Sequence, residues 1–126
     1  MMMERVRVID HPAVADRLTR LRDASTPPAL FRRLIEELGT ALAFEATRTL
    51  PTRLDAVSTP VGPTMGRRLA APPVIAPIMR AGLGLVPGFL AVIEDAVVAH
   101  LGFFRDPTTL AAVPYYANLP EDMSGS

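Results

Sequence analysis

The sequence predicts an α/β protein in which two amphipathic helices precede the beginning of a parallel β-sheet. Apolar residues recur at helical spacing twice between positions 12 and 48. Two continuous apolar runs of strand length follow at 74–79 and 96–104, and a helix-forming segment separates them. Strand, helix and strand in that order are typical of a βαβ unit with parallel strands.

The first fifty residues predict a helical hairpin. Asp10 or His11 is placed to cap the first helix, and Pro12 suits its first turn. Thr26 is expected to cap a second helix, with Pro27 entering that helix's first turn. Two amphipathic helices joined by a short turn favour a hairpin packed against a larger body.

Residues 55–70 predict an exposed β-hairpin arm. Val57–Val61 has the composition of a short strand, Gly62 and Pro63 mark a turn, and Met65–Arg68 is expected to return. The arm would project from the rest of the domain.

Residues 72–119 are assigned to the start of the α/β core. The runs at 74–79 and 96–104 have the pattern of strands buried on both faces. A helix is expected over Leu85–Ile93 and an edge strand within Leu110–Leu119. Residues 1–126 are one domain's worth or part of one, divided into a hairpin (1–50), an arm (55–70) and a core (72–119).

Composition excludes several classes of protein. Thirteen basic residues balance thirteen acidic ones, which disfavours a nucleic-acid partner. There is no Cys and there are two His, so disulfides and thiolate chemistry are excluded and a closed zinc site is disfavoured. The apolar stretch 69–93 contains four prolines and a central Arg80, which argues against a membrane span. No signal peptide is visible, and we expect a cytoplasmic protein.

The segment that follows the first predicted sheet strand carries the clearest chemical signal. Arg80 comes at the strand's carboxyl end, and Ala81 and Gly82 lead into the next helix. Ligands of open α/β sheets bind at this edge, where helix-start N–H groups and a guanidinium favour an anion. The alternative is a tight strand-to-helix turn with a surface arginine.

Arg105 ends the second predicted strand, so two neighbouring parallel strands would each deliver an arginine to one crevice. The alternative pairs Arg105 with Asp106 or with a surface carboxylate. The other polar residues favour structural roles: a cap or surface position for His11, a hydrogen-bonded core position for His100, solvated helix faces for Glu36, Glu37, Glu94 and Asp95, a solvated turn for Arg67 and Arg68, and packing for Tyr115 and Tyr116. The alternatives are an arm contact or a second anion site for the two arginines, and stacking on a base for the two tyrosines.

Several segments carry a likeness to a known family. The most specific part is Pro77–Gly84 together with Arg105 and Asp106 at this distance. The likeness runs along nearly the whole chain and includes Val8–Pro12, Phe44–Arg48, Thr59–Val61, Gly102–Leu110, Val113–Tyr116 and Leu119–Asp122. On these residues the chain resembles the uracil phosphoribosyltransferase family.

The resemblance implies an incomplete type I phosphoribosyltransferase-like fold. It also implies transfer of ribose 5-phosphate from phosphoribosyl pyrophosphate (PRPP) to uracil, which gives UMP and pyrophosphate in pyrimidine salvage. Arg80 and Arg105 match the family's pyrophosphate-contacting arginines, and Ala81 and Gly82 would allow close backbone approach. Mg²⁺ is expected to arrive with PRPP, held by phosphates and water.

The family's 5′-phosphate loop, its uracil-reading segment and the catalytic residues are expected beyond residue 126. The resemblance therefore implies a truncated enzyme whose full-length parent is a homo-oligomer, with GTP as a possible effector. One alternative is a non-catalytic anion-binding or dimerisation fragment of the same fold. Another is a nucleotide-responsive regulator on that fold, which the zero net charge disfavours.

Overall fold

A computed structural model describes residues 6–123, and its elements follow the predicted order. Within that range three α-helices and seven strands form, with a 3₁₀ turn at Ala81–Leu85 before the third helix. The helices are α1 Pro12–Arg22, α2 Pro28–Ala46 and α3 Val86–Val92; the strands are β1 Thr52–Thr59, β2 Gly62–Leu69, β3 Val74–Ile75, β4 Ile78–Met79, β5 Val97–Val98, β6 Leu101–Arg105 and β7 Ala112–Ala117.

The helical hairpin begins with a histidine cap, one of the two predicted options. The Ala13 backbone N–H donates to His11 Nδ1 at 3.1 Å. Thr26 does not cap α2, contrary to the prediction, and Pro27 holds that position without a side-chain hydrogen bond. The Thr26 hydroxyl instead donates to the Arg20 carbonyl at 2.5 Å, because the last carbonyls of α1 lack partners within the helix.

The core forms where α2 meets α3 through two glycines. A Cβ added to Gly88 would lie 2.5 Å from the Thr40 nitrogen, and one added to Gly39 would lie 2.8 Å from the Leu85 oxygen. The helices therefore touch backbone to backbone, which holds α3 and the preceding 3₁₀ turn against α2. Leu34, Ala43, Ile93 and Ala99 are buried apolar residues of the described chain, and Pro73 and Pro77 are buried as well.

The arm is a two-stranded antiparallel hairpin in which β1 pairs with β2. Its predicted turn was placed too late, because Pro60 and Val61 form the turn while Gly62 and Pro63 already belong to β2. Gly62 has φ 129°, a conformation that glycine alone adopts readily. The Thr59 hydroxyl donates to the Gly62 carbonyl at 2.6 Å and closes the hairpin.

The predicted βαβ unit is confirmed: β3 pairs with β5 and β4 pairs with β6, both in parallel. Each predicted strand is nevertheless split in two. The run 74–79 breaks at Pro77, which has no N–H to donate, although its carbonyl still accepts from the Leu101 N–H at 3.1 Å. The run 96–104 breaks at Ala99 and His100.

The prediction that both strands are buried on two faces is wrong. Ile78 is 55% exposed because it lies along an open cleft, described below. Phe103 and Phe104 are 37% and 49% exposed. No helix within residues 6–123 packs extensively against β6, so the apolar pattern of that strand is only partly covered.

The predicted edge strand is confirmed as β7, which pairs antiparallel with β6 at the edge of the sheet β4–β6–β7. A register shift leaves Tyr115 as an extra residue between the pairs Gly102–Tyr116 and Phe103–Pro114. The Tyr115 ring covers Gly102, where an added Cβ would lie 2.6 Å from Cζ. The interpretation of this tyrosine as a packing residue is confirmed.

Candidate functional site

Two arginines follow the carboxyl ends of neighbouring parallel strands. Met79 of β4 lies opposite Gly102 of β6, so Arg80 comes one residue beyond that pair and Arg105 three residues beyond it. At about 3.3 Å per residue, Arg105 stands roughly 7 Å further along the strand direction. Both side chains are exposed, so this sheet edge presents two positive charges to solvent.

The 3₁₀ turn brings the Arg80 segment back against the sheet. The peptide bond between Met79 and Arg80 is cis, and the Leu83 N–H donates to the Arg80 carbonyl at 3.1 Å. A Cβ on Gly82 would lie 3.3 Å from the Pro77 Cα, so a small residue suits this fold-back. The first N–H groups of such a turn lack partners within it and can donate to an anion.

A cleft of about 810 Å³ opens beside this turn. Its walls are the end of α2, strands β3 and β4, the 3₁₀ turn, α3, and residues Leu119 and Met123. Arg80, Ala81 and Gly82 all line it, and Arg80 is the one charged side chain among the described lining residues. Arg105 is absent from that lining, so the structure gathers three of the four predicted site residues here and places the fourth at the end of the adjacent strand.

A hydrogen-bonded turn holds Arg105. Its Nη1 donates to the Leu110 carbonyl at 3.0 Å. Arg105 makes no ion pair with Asp106 or with any other carboxylate among the described residues, so the alternative is wrong. The Asp106 carboxylate instead accepts from the Thr108 and Thr109 N–H groups at 2.8 and 2.7 Å.

These N–H groups lower the pKa of Asp106 below its ordinary value of 3.8, with Thr109 the largest cause and Thr108 next. Because the folded pKa is the lower one, the turn's contribution to stability is fully present above about pH 3.8 and is lost as the pH falls through the folded pKa. We expect side-chain carboxyl ¹³C NMR to give Asp106 a titration midpoint below that of the urea-unfolded chain. Equal midpoints would contradict this.

Three of the other polar residues considered in the sequence have the following surroundings. Glu37 pairs with Arg17 at 2.7 Å and joins α2 to α1. Arg68 pairs with Asp55 across the arm at 3.0 Å. The His100 imidazole makes no hydrogen bond within residues 6–123, so its predicted role as a hydrogen-bonded core group is wrong; it is half-buried where the strand breaks.

Two features of the site were missed at the level of sequence. The Asp106 turn has a recognisable signal, since Asp followed by Pro, Thr and Thr after a strand favours a side-chain-capped turn. The contact of Gly88 with α2 has no such signal, because no local pattern shows which distant helix a glycine will meet. Both features hold in place the segments that carry the residues predicted to bind an anion.

Neither a metal centre nor a membrane span is seen in the part of the chain that the structure describes. Residues 6–123 contain no group of three or more His, Asp or Glu residues placed to hold a metal ion. No described helix is both long and apolar enough to cross a bilayer.

Curated relatives match this chain along almost its whole length. A protein of Kineococcus radiotolerans named uracil phosphoribosyltransferase is 51% identical over 122 residues, which cover 96% of this chain and 58% of the relative. One of the same name from Caulobacter is 46% identical over 123 residues, covering 97% and 59%. The chain therefore spans a little under three fifths of the relatives it matches.

A solved structure has a similar fold, and a family model matches nearly the whole chain. The AQ2163 protein from Aquifex aeolicus superposes with a TM-score of 0.83 at 32% identity, over 92% of this chain and 56% of that one. The family model described as uracil phosphoribosyltransferase matches residues 8–126. This chain belongs to the uracil phosphoribosyltransferase family.

Proposed function

We propose that this chain supplies the pyrophosphate-binding part of a uracil phosphoribosyltransferase, which makes UMP and pyrophosphate from uracil and PRPP. The observation that supports this most directly is the placement of Arg80 and Arg105 after two adjacent parallel strands. Membership of the family supplies the substrate class. PRPP and uracil are therefore the proposed substrates of the whole protein.

The proposed chemistry needs cations where the leaving group gains charge. As the bond between C1 of the ribose and the pyrophosphate breaks, negative charge develops on the departing diphosphate oxygens. In this proposal Arg80 and Arg105 donate charge-assisted hydrogen bonds to those oxygens. Backbone N–H groups of Ala81 and Gly82 would add donors at close approach.

Magnesium enters this proposal as part of the PRPP complex. The site residues Arg80 and Arg105 and the turn's N–H groups are donors, which suit phosphate oxygens and do not bind a cation. A divalent ion would be held by the phosphates and water. It would neutralise part of the diphosphate charge.

The other partners are proposals of the same kind. We propose a homo-oligomer, because the arm exposes apolar side chains such as Leu54 (65%) and Met65 (60%) and an isolated two-stranded hairpin is marginal in water. The cytoplasmic location and a GTP effector rest on sequence reasoning and on the resemblance. Membrane and nucleic-acid partners are not proposed.

The 126-residue chain is expected to prefer pyrophosphate to ribose 5-phosphate in isothermal titration at fixed ionic strength. By the resemblance the 5′-phosphate loop is expected beyond residue 126, while Arg80 lines the cleft. Equal affinity for the two ligands would contradict the proposal.

The 126 residues alone are expected to form no UMP. A chimera that continues residue 126 with the remaining portion of the Kineococcus relative is expected to form UMP from PRPP and uracil. Its Arg80→Gln variant should do so far more slowly. A chimera that unfolds cooperatively and binds pyrophosphate, yet forms no UMP, would favour the non-catalytic alternative.

A further inference from the structure

We propose that Asp106 is a positioning residue for Arg105: the turn that it caps orients the guanidinium for the diphosphate. The identity of the anion, a diphosphate, rests on the proposed function. Its structural part, the restraint of Arg105 by a turn built on Asp106, stands on the hydrogen bonds alone.

The first step is the direction of the Asp106 carboxylate. A carboxylate next to an arginine would ordinarily be its nearest counter-ion, which would compete with an incoming anion. Here Oδ1 is occupied by two backbone N–H groups, those of Thr108 and Thr109. The charge of Asp106 therefore stabilises the turn rather than neutralising Arg105.

The second step is the shape of the turn. The Asp106 N–H donates to the Ala111 carbonyl, and the Leu110 N–H donates to the Asp106 carbonyl, both at 2.9 Å. Thr109 Oγ1 accepts from the Ala111 N–H at 3.3 Å. Asp106 thus engages the turn through its side chain, its N–H and its carbonyl, which closes the loop between β6 and β7.

The third step is the carbonyl that this loop presents. Leu110 adopts φ 59°, a left-handed conformation that is uncommon for a residue with a Cβ. In that conformation its carbonyl accepts from Arg105 Nη1 at 3.0 Å. A strained backbone conformation persists where surrounding contacts hold it. Here the hydrogen bonds next to Leu110 are those made with Asp106 and Thr109.

The consequence concerns the donors of Arg105. A guanidinium has five N–H groups, and the bond to Leu110 engages one of its nitrogens. The other N–H groups stay at the exposed sheet edge, available for phosphate oxygens. A restrained side chain loses less conformational entropy on binding than a mobile one.

The first test compares Asp106→Ala with Asp106→Asn in pyrophosphate titrations. Asp106→Ala removes the acceptor and is expected to weaken binding about three- to tenfold, while Asp106→Asn keeps an Oδ1 acceptor and should stay within about twofold. In an Arg105→Gln background, Asp106→Ala should have no further effect. Equal weakening in both backgrounds, or equal loss in the Asn and Ala variants, would overturn the proposal.

The second test needs no ligand. In arginine-¹⁵N NMR, rotation of the Arg105 guanidinium is expected to be slow in the native chain and in Asp106→Asn, and faster in Asp106→Ala. Arg32, exposed on α2, should rotate alike in all three. Unchanged Arg105 rotation in Asp106→Ala refutes the positioning role. If the native chain bound no pyrophosphate but Asp106→Ala still sped the rotation of Arg105, the proposed function would be refuted. The restraint of Arg105 by Asp106 would stand.

Discussion

Replacing Gly88 with alanine is expected to lower the free energy of unfolding by about 3 kcal/mol. The new Cβ would overlap the Glu36 carbonyl oxygen and lie 2.5 Å from the Thr40 nitrogen. Both are backbone atoms of α2, so no side chain can rotate away, and the helices must separate. Urea unfolding followed by circular dichroism measures the change.

The matched control is Gly66→Ala in the arm. There an added Cβ would meet the Val57 Cγ2 at 3.3 Å, which is the tip of a side chain, so the cost should stay below about 1 kcal/mol. Because α3 follows directly from the Arg80 turn, Gly88→Ala should also weaken pyrophosphate binding. Equal unfolding free energies for the two variants would contradict the backbone contact.

Arg80→Gln is expected to weaken pyrophosphate binding by at least about tenfold. A hydrogen bond to a charged group contributes about 1.5–3 kcal/mol, and Arg80 is the one charged side chain among the described residues of the cleft. Titration calorimetry at constant ionic strength gives the affinity. Glutamine keeps an N–H donor, on a shorter side chain, while removing the charge.

The control removes the same charge elsewhere. Arg32→Gln lies on the exposed surface of α2 and changes the net charge equally, so it reports the non-specific electrostatic effect. We expect it to alter affinity by less than about twofold, since exposed distant charges are screened by salt. If Arg32→Gln weakened binding as much as Arg80→Gln, the cleft would not be the anion site.

Local patterns were sufficient to predict much of this fold. Helical spacing and the Pro12 position predicted α1, with His11 as one of two possible caps, and the apolar runs with the segment between them predicted the parallel unit. The edge of the sheet that carries the site could be predicted from those strands, because residues that follow neighbouring parallel strands lie at the same edge. Arg80 could therefore be placed at that edge from the sequence alone.

What could not be predicted depends on tertiary contacts. The apolar run at 74–79 has the composition of a buried strand, yet Ile78 stays 55% exposed because burial depends on what packs above it. The Thr26 hydroxyl had two possible partners, an N–H of α2 from which it could accept or a carbonyl of α1 to which it could donate. Its bond to the Arg20 carbonyl depends on how α1 ends. The turn of Asp106 toward its own loop, by contrast, has a local signal in Asp followed by Pro, Thr and Thr, and that signal was missed.

The most direct measurement is a double-mutant cycle on pyrophosphate affinity with Arg80→Gln, Arg105→Gln and the double variant. If one diphosphate is held by both guanidinium groups, the two losses are expected to be non-additive by about 1 kcal/mol. The coupling should shrink with orthophosphate, which is shorter than the diphosphate. Losses that add within about 0.3 kcal/mol would mean that the two strands serve separate sites.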